Sequence, residues 1–286
     1  MPKLKKSGDF RICIDRVIPD EFQPARAMAH KAAVDKYLAA VRSKASMISG
    51  NVAKAPFRRH ITAIGELPRL DARDPISVLR MAVINQKKWE HGYKLKCKFL
   101  DGDSKQQKTV EEKAQMWCKY ANVHIAFGSD PNSEIRISFS ADAGSWSAIG
   151  TDCLVTTYFP KHQPTMNFGW LKDDTPDDEY ERVVVHEFGH ALGCIHEHQS
   201  PTEKLEWDVA AVYKSFSGPP NYWSEQEIDH NVIQKYSPQG ITASAFDEKS
   251  IMLYQFPGSL FNNRKGTPLN QRLSELDKQM IAEMYP

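Results

Sequence analysis

Between positions 186 and 196 the chain reads His186-Glu187-Phe188-Gly189-His190-Ala191-Leu192-Gly193-Cys194-Ile195-His196. Neutral imidazoles are good ligands for a zinc ion, which takes nitrogen at about 2.0–2.1 Å. Three protein ligands leave one position open, the pattern of a catalytic rather than a structural zinc site. A carboxylate beside the first histidine supplies a base. These residues are equipped to hydrolyse a peptide bond with a metal-held water. Zn2+ is therefore the expected cofactor, with His186, His190 and His196 as its ligands and Glu187 as the catalytic base.

That chemistry needs a particular scaffold. The run from Glu179 to Leu192 has no proline and offers Val183, Val184, Val185, Phe188, Ala191 and Leu192 as an apolar face, so it is expected to form one helix. His186 and His190, four apart, then lie one above the other. Glu187 is rotated from His186 by about 100° and can reach the water without being a ligand. His196 cannot follow on the same face, so the chain must turn. Gly193 tolerates positive φ, a common helix ending, and lets His196 come back toward the metal. Histidine is 10 and glycine 15 of 286 residues. Five fixed positions then match by coincidence on the order of 10⁻⁴ times or fewer. The bland alternative is a core helix with satisfied histidines, and it would bury Glu187 unpaired at a cost.

Extended to Pro201, the string continues Glu197-His198-Gln199-Ser200 and resembles the metzincin zinc peptidases, within them the astacin-like group. In that group a glutamate follows the third histidine, as Glu197 follows His196. Ser250-Ile251-Met252-Leu253-Tyr254 is similar to the group's Met-turn, although Leu253 stands where many members have histidine. The resemblance implies that Met252 lies beneath the metal. It also implies that Tyr254 is a movable additional ligand that swings away to stabilise the oxyanion, which makes Tyr254 the second expected catalytic residue. The alternative for Tyr254 is a core tyrosine with a hydrogen-bonded tip. Glu197 is expected in a buried polar contact near the Met-turn or the chain start, or else solvated. His198 is expected close behind the ligands or on the surface. Trp207, Tyr222 and Trp223 either line the lower cleft or pack in the core.

Weaker similarities run from Lys94 to Pro286. Ala114 to Tyr120 resembles the first family helix, and Ile135 to Phe139 an inner strand. Gly144 to Ser147 and Thr165 to Phe168 resemble the strands before the zinc helix, and Leu273 to Tyr285 the closing helix. The implied fold is α+β. It is a metzincin-like (zincin) catalytic domain over residues 76–286, with a twisted mixed sheet, a zinc-binding active-site helix and a mostly irregular C-terminal subdomain closed by a helix. The implied function is a zinc-dependent endopeptidase acting on a protein or peptide substrate. The same scaffold could serve a zinc aminopeptidase or a cell-wall amidase, or a non-catalytic binding module that keeps zinc for stability. Glu187 argues against the last, because a structural site has no use for a base.

Hydrophobic residues at 41% and charged residues at 26% are ordinary for a soluble globular protein. A net charge of +1 argues against nucleic-acid binding, and the short Lys3-Leu4-Lys5-Lys6 run reads as a solvated terminus. No apolar stretch approaches the length of a membrane helix, so no membrane partner is expected, and a monomer is. Asp9, Arg11, Asp15 and Arg16 interrupt every candidate secretory core. The expectation is a cytoplasmic or non-classically secreted protein, or a signal outside this sequence. The five cysteines, Cys13, Cys97, Cys118, Cys153 and Cys194, are odd in number and form no C-x-x-C. They read as reduced thiols, with a Cys118–Cys153 bridge as the alternative, and Cys194 as a packing residue.

Residues 1–75 differ from the rest. Pro24 to Ser46 is expected to be helical, with Ala27, Ala33, Val34, Tyr37, Leu38 and Val41 apolar, followed by breakers at Gly50, Pro56, Pro68 and Pro75. Three readings stand: a structural extension, an inhibitory propeptide and a mobile partner-binding arm. A propeptide needs a zinc-blocking group, and Cys13 could offer a thiolate. Phe99-Leu100-Asp101-Gly102-Asp103 is similar to the aspartate-switch segment of astacin propeptides, but also reads as a polar turn leading into a helix over Val110–Tyr120. Before it, Lys94, Lys96 and Lys98 alternate with Leu95, Cys97 and Phe99, the period of a half-buried strand. Ser145 to Tyr158 is expected to include the sheet edge above the cleft, which in metzincins pairs with an extended substrate.

Overall fold

A computed structural model describes residues 18, 22–51, 83–84, 87–218, 221–239, 241–243 and 245–286. In chain order the regular elements are helix α1 (Gln23–Asn51), strands β1 (Val83–Ile84) and β2 (Lys94–Phe99), helix α2 (Ser104–Ala114), and strands β3 (His124–Phe127), β4 (Ile135–Ser138), β5 (Ser145–Ser147) and β6 (Met166–Phe168). Then follow the helices α3 (Asp177–Ala191), α4 (Val209–Phe216) and α5 (Glu225–Ile228), strand β7 (Ile241–Thr242) and helix α6 (Glu275–Met284).

The alternation of lysines and apolar residues produces β2 as expected, with Leu95 and Cys97 buried. Five strands form one sheet in the order β3-β2-β4-β6-β5. β2 runs parallel to β3 and β4, and β4 parallel to β6, while β5 is antiparallel to β6 at the edge. The sheet is thus mixed. The inner strand closes at Ser138, because the backbone N–H of Phe139 is taken by the Asp101 carboxylate at 2.7 Å.

The first helix departs from expectation. It occupies Ser104–Ala114, and Trp117–Lys119 forms only a short 3-10 turn. The cause is local. Asp103 accepts from the backbone of Lys105 and Gln106 while the Gln106 side chain returns to the Asp103 N–H, a complete capping box. Asp103 is therefore a helix cap, the polar-turn reading of that segment, with the helix opening earlier than Val110. Helix α1 likewise runs past Ser46 to Asn51, since a single interior glycine, Gly50, costs only about 1 kcal/mol.

Helix α3 is the spine. Asp177, Asp178 and Glu179 occupy its first turn, where the helix dipole favours negative charge. From Val183 to Ala191 every residue is buried, so this is a core helix. Its far end closes in a Schellman motif: Cys194 N–H bonds to Gly189 O at 3.0 Å and Gly193 N–H to His190 O at 2.8 Å, with Gly193 at φ 97°. Other carbonyls of α3 and its cap are satisfied from outside. Trp117 Nε1 donates to Val185 O, Trp89 Nε1 to Ala191 O, and the Tyr285 hydroxyl to Leu192 O, each at 2.8 Å.

Beyond α3 the chain is mostly irregular until α6, as expected. Its core is aromatic: the Trp207 ring lies 4.9 Å from Phe256 and 4.6 Å from Phe261, and Phe216 stacks on Trp223 at 5.2 Å. Trp207 and Trp223 therefore pack, whereas Tyr222 is 71% exposed. Cys97, Cys118, Cys153 and Cys194 are free thiols, so the Cys118–Cys153 bridge is not formed. Burial raises the pKa of all four and keeps them protonated as packing groups.

Helix α1 rests on this unit. Arg26 Nε lies 3.1 Å from Asp152 Oδ1, and Lys87 Nζ lies 2.6 Å from Asp152 Oδ2. Tyr37 donates to His91 O at 2.6 Å, and Phe22 packs on Tyr158 at 5.3 Å. The proposed boundary at 75/76, Cys13, Pro56, Pro68 and Pro75 lie outside the described residues. No described helix is long and apolar enough to cross a membrane.

The Tyr285 hydroxyl serves two groups, since it also accepts from Trp89 N–H at 3.2 Å. Tyr285→Phe should leave the Leu192 carbonyl unpaired and lower stability by about 1–3 kcal/mol. A urea midpoint equal to that of the unmodified chain would refute this.

Candidate active site

The helix and its glycine turn bring three imidazoles together. His190 Nε2 lies 3.1 Å from His186 Nε2 and 3.0 Å from His196 Nε2, and all three rings are buried. A tetrahedral ion with bonds of about 2.0–2.1 Å separates its ligands by about 3.3 Å. The cluster has that dimension and the nitrogen donors zinc prefers, so the residues fit the ion.

The opposite face of each ring decides which nitrogen is free. His186 Nδ1 faces Ile251 O at 2.8 Å, and His190 Nδ1 faces Cys194 O at 2.9 Å. His196 Nδ1 faces Gln199 Oε1 at 3.4 Å. Each acceptor requires a proton on Nδ1, which leaves the Nε2 lone pair for the centre of the cluster. Burial, and then the proximity of His190 and His196, depresses the His186 pKa well below its ordinary value, so that ring is neutral as a ligand must be.

The floor comes from a distant part of the chain. Met252 is fully buried, and its sulfur lies so close to Gly189 that a Cβ there would approach it to 2.5 Å. The turn carrying Met252 is fixed by Asp277, which accepts from Ser250 Oγ at 2.7 Å and from Ile251 N–H at 2.8 Å. Burial lifts the Asp277 pKa to about 6 in spite of these donors. Ile251, held by its N–H, presents its carbonyl to His186. The turn therefore supports both the space under the ligands and the tautomer of the first one.

Tyr254 closes the cluster. Its ring centre is 4.3 Å from His196 and 5.2 Å from His186, and its hydroxyl is in hydrogen-bonding contact with His196 Nε2. Glu187 is buried beside the first ligand on α3. Arg182, one turn earlier, carries a charge that acts on both Tyr254 and Glu187 and is held by Glu179 at 2.8 and 2.7 Å. Trp170 Nε1 donates to the same Glu179 at 3.0 Å.

Glu197 is fully buried. Its backbone N–H bonds to Met252 O at 3.0 Å and its carboxylate accepts from Asp247 N–H at 2.9 Å, the expected polar contact at the Met-turn. Burial raises its pKa to about 8. His198 is buried behind the ligands, with its ring 5.2 Å from His196 and its Nε2 3.1 Å from Asn231 O. Gln199 and Asp277 were not among the expected site residues. A helix cap at Ser274 with Asp277 at its third position was readable from the sequence, but its connection to the Met-turn was not.

No family model and no curated protein matches this chain. Among solved structures it is similar to myroilysin, at 41% identity over 72% of this chain and 98% of that one, with a TM-score of 0.69. A second myroilysin structure matches at 39% identity over 70% of this chain and 86% of that one, with a TM-score of 0.55. A weaker likeness, at 14% identity over 70% of this chain and 95% of that one and a TM-score of 0.47, is to high choriolytic enzyme 1, a hatching enzyme zinc-protease from the medaka fish Oryzias latipes. With that identity to myroilysin and the histidine cluster in place, the chain belongs to the astacin-like metzincin zinc peptidases. Its activity is that of a zinc-dependent endopeptidase on protein or peptide substrates.

Gly189→Ala should force Met252 aside and cost about 1–3 kcal/mol of stability through overpacking. It should weaken zinc retention as well. Wild-type unfolding and zinc retention in this variant would contradict the role assigned to the Met252 floor.

Proposed function

We propose that His186, His190 and His196 hold the zinc ion, that Glu187 is the general base, and that Tyr254 stabilises the oxyanion. The observation that carries this reading is the convergence of three Nε2 atoms while every Nδ1 faces an acceptor. Bound zinc would polarise the scissile carbonyl and lower the pKa of the attacking water toward neutrality.

The remaining work falls to side chains. Glu187 takes the proton of the attacking water and returns it to the leaving nitrogen. Its burial beside the first histidine of the cluster places it within the site and out of bulk solvent. The Tyr254 hydroxyl, already next to His196, is a donor for the developing oxyanion. The substrate lies as an extended strand along β5, and the support is that β5 pairs with β6 alone among the described residues. Main-chain pairing of this kind binds peptides with little dependence on side chains. A monomer is proposed as the working form.

Glu187→Ala should retain zinc yet lower kcat by about 10²–10⁴-fold or more. Tyr254→Phe should lower kcat by about 10²-fold with little change in KM. Peptide-library cleavage by the purified chain, with and without a chelator, tests the whole scheme. Undiminished turnover in Glu187→Ala, or cleavage that survives the chelator, would overturn it.

A further inference from the structure

Two of the three ligand histidines hand their Nδ1 proton to backbone carbonyls, those of Ile251 and Cys194. The third, His196, faces a side chain, Gln199, which is 2% exposed. A side-chain amide could face the ring with either its oxygen or its nitrogen, and the surroundings decide which. Gln199 Nε2 lies 2.6 Å from His230 O and 3.1 Å from Gln234 O. Both neighbours are carbonyl oxygens and can only accept. The NH2 group must point at them, and Oε1 must point at His196. The reverse orientation would set an amide oxygen against two carbonyl oxygens in a buried site.

We propose that Gln199 is a positioning residue for the zinc site: its carbonyl holds His196 in the Nδ1–H tautomer and turns the Nε2 lone pair toward the metal. Of the two carbonyls that orient it, His230 O lies in the π-helical turn Asp229–Ile233 of the C-terminal subdomain and Gln234 O directly follows that turn. The same turn is tied back through Tyr236 N–H to Gln199 O at 2.9 Å. The C-terminal subdomain thus acts on the metal through one amide. Without it, His196 loses this acceptor on Nδ1, and the tautomer with its proton on Nε2, where no metal can bind, is no longer disfavoured by Gln199.

This inference rests on the zinc-peptidase reading above, and its test separates the two. Zinc alone is the probe, titrated into the full-length protein against a competing chelator. Gln199→Met fills the space but removes the acceptor and the donors. Gln199→Glu keeps the acceptor and, as the neutral acid that two facing carbonyls favour, keeps one donor in its O–H. A lost partner of a metal ligand costs about 10–100-fold in metal affinity, and that loss is expected in Gln199→Met. Gln199→Glu is expected to stay within about threefold of the unmodified chain, because it keeps the acceptor that holds the His196 Nδ1–H. The 1H–15N spectrum of the zinc-loaded chain should show three protected Nδ1–H signals, and Gln199→Met should lose the His196 signal alone. A Gln199→Met variant that binds zinc as well as Gln199→Glu would overturn the proposal and leave Gln199 a tether of the π-helical turn. An unmodified chain that binds no zinc would take down both this inference and the zinc-peptidase reading.

Discussion

An imidazole ring has two nitrogens on opposite sides, and only one of them can face a metal. In a buried site the other must be hydrogen-bonded, or the ring carries an unsatisfied donor or settles in the wrong tautomer. This constraint organises the molecule. His186 depends on the Ile251 carbonyl, which belongs to the Met-turn. His190 depends on the Cys194 carbonyl, which belongs to the Schellman turn closing its own helix. His196 depends on Gln199, which is aimed by the π-helical turn. Three separate pieces of chain must therefore be in place before three nitrogens can share one ion.

The Met-turn meets that requirement from below. Asp277, at the start of the last helix, holds the turn by a hydroxyl and a backbone N–H, and that helix ends at Tyr285, whose hydroxyl reaches the cap of α3. The closing helix is thus bound to the active-site helix at both ends, once through Met252 under the ligands and once through the α3 cap. Gly189 is small because the Met252 sulfur occupies the space a side chain would take. The residue just before His190 is thus dictated by packing and not by chemistry.

The parts of the site that were legible in the sequence are those encoded by short spacing. A spacing of four from His186 to His190, a glycine at Gly193 and a histidine soon after describe a helix, its stop and a return, and each needs only backbone geometry. Ser250 to Tyr254 was legible by resemblance. The first helix opens at Ser104 and not at Val110 because the cap at Asp103 and Gln106 has the shorter range and prevails over the pattern of apolar residues after Val110. Gln199 was invisible for a different reason. Its role depends on carbonyls more than thirty positions away, and a glutamine near a ligand has no meaning until those carbonyls fix its orientation. Tyr222 and Trp223 are neighbours in sequence with opposite fates, one in solvent and one stacked on Phe216, which no periodicity distinguishes.

Asp152 is fully buried and is met by two cations, Arg26 from α1 and Lys87 from the segment leading into the catalytic unit. The Lys87 side chain is 4% exposed and the Arg26 side chain 13%, so Lys87 is the more deeply buried of the two cations. Separation of α1 would return Arg26 to water and strand no ion in the interior. Losing Lys87 and Trp89 instead would remove a buried cation and unsatisfy the Ala191 carbonyl at the end of the metal-binding helix. In charge terms the interior ion pair is Asp152 with Lys87, and α1 adds a second cation at its edge.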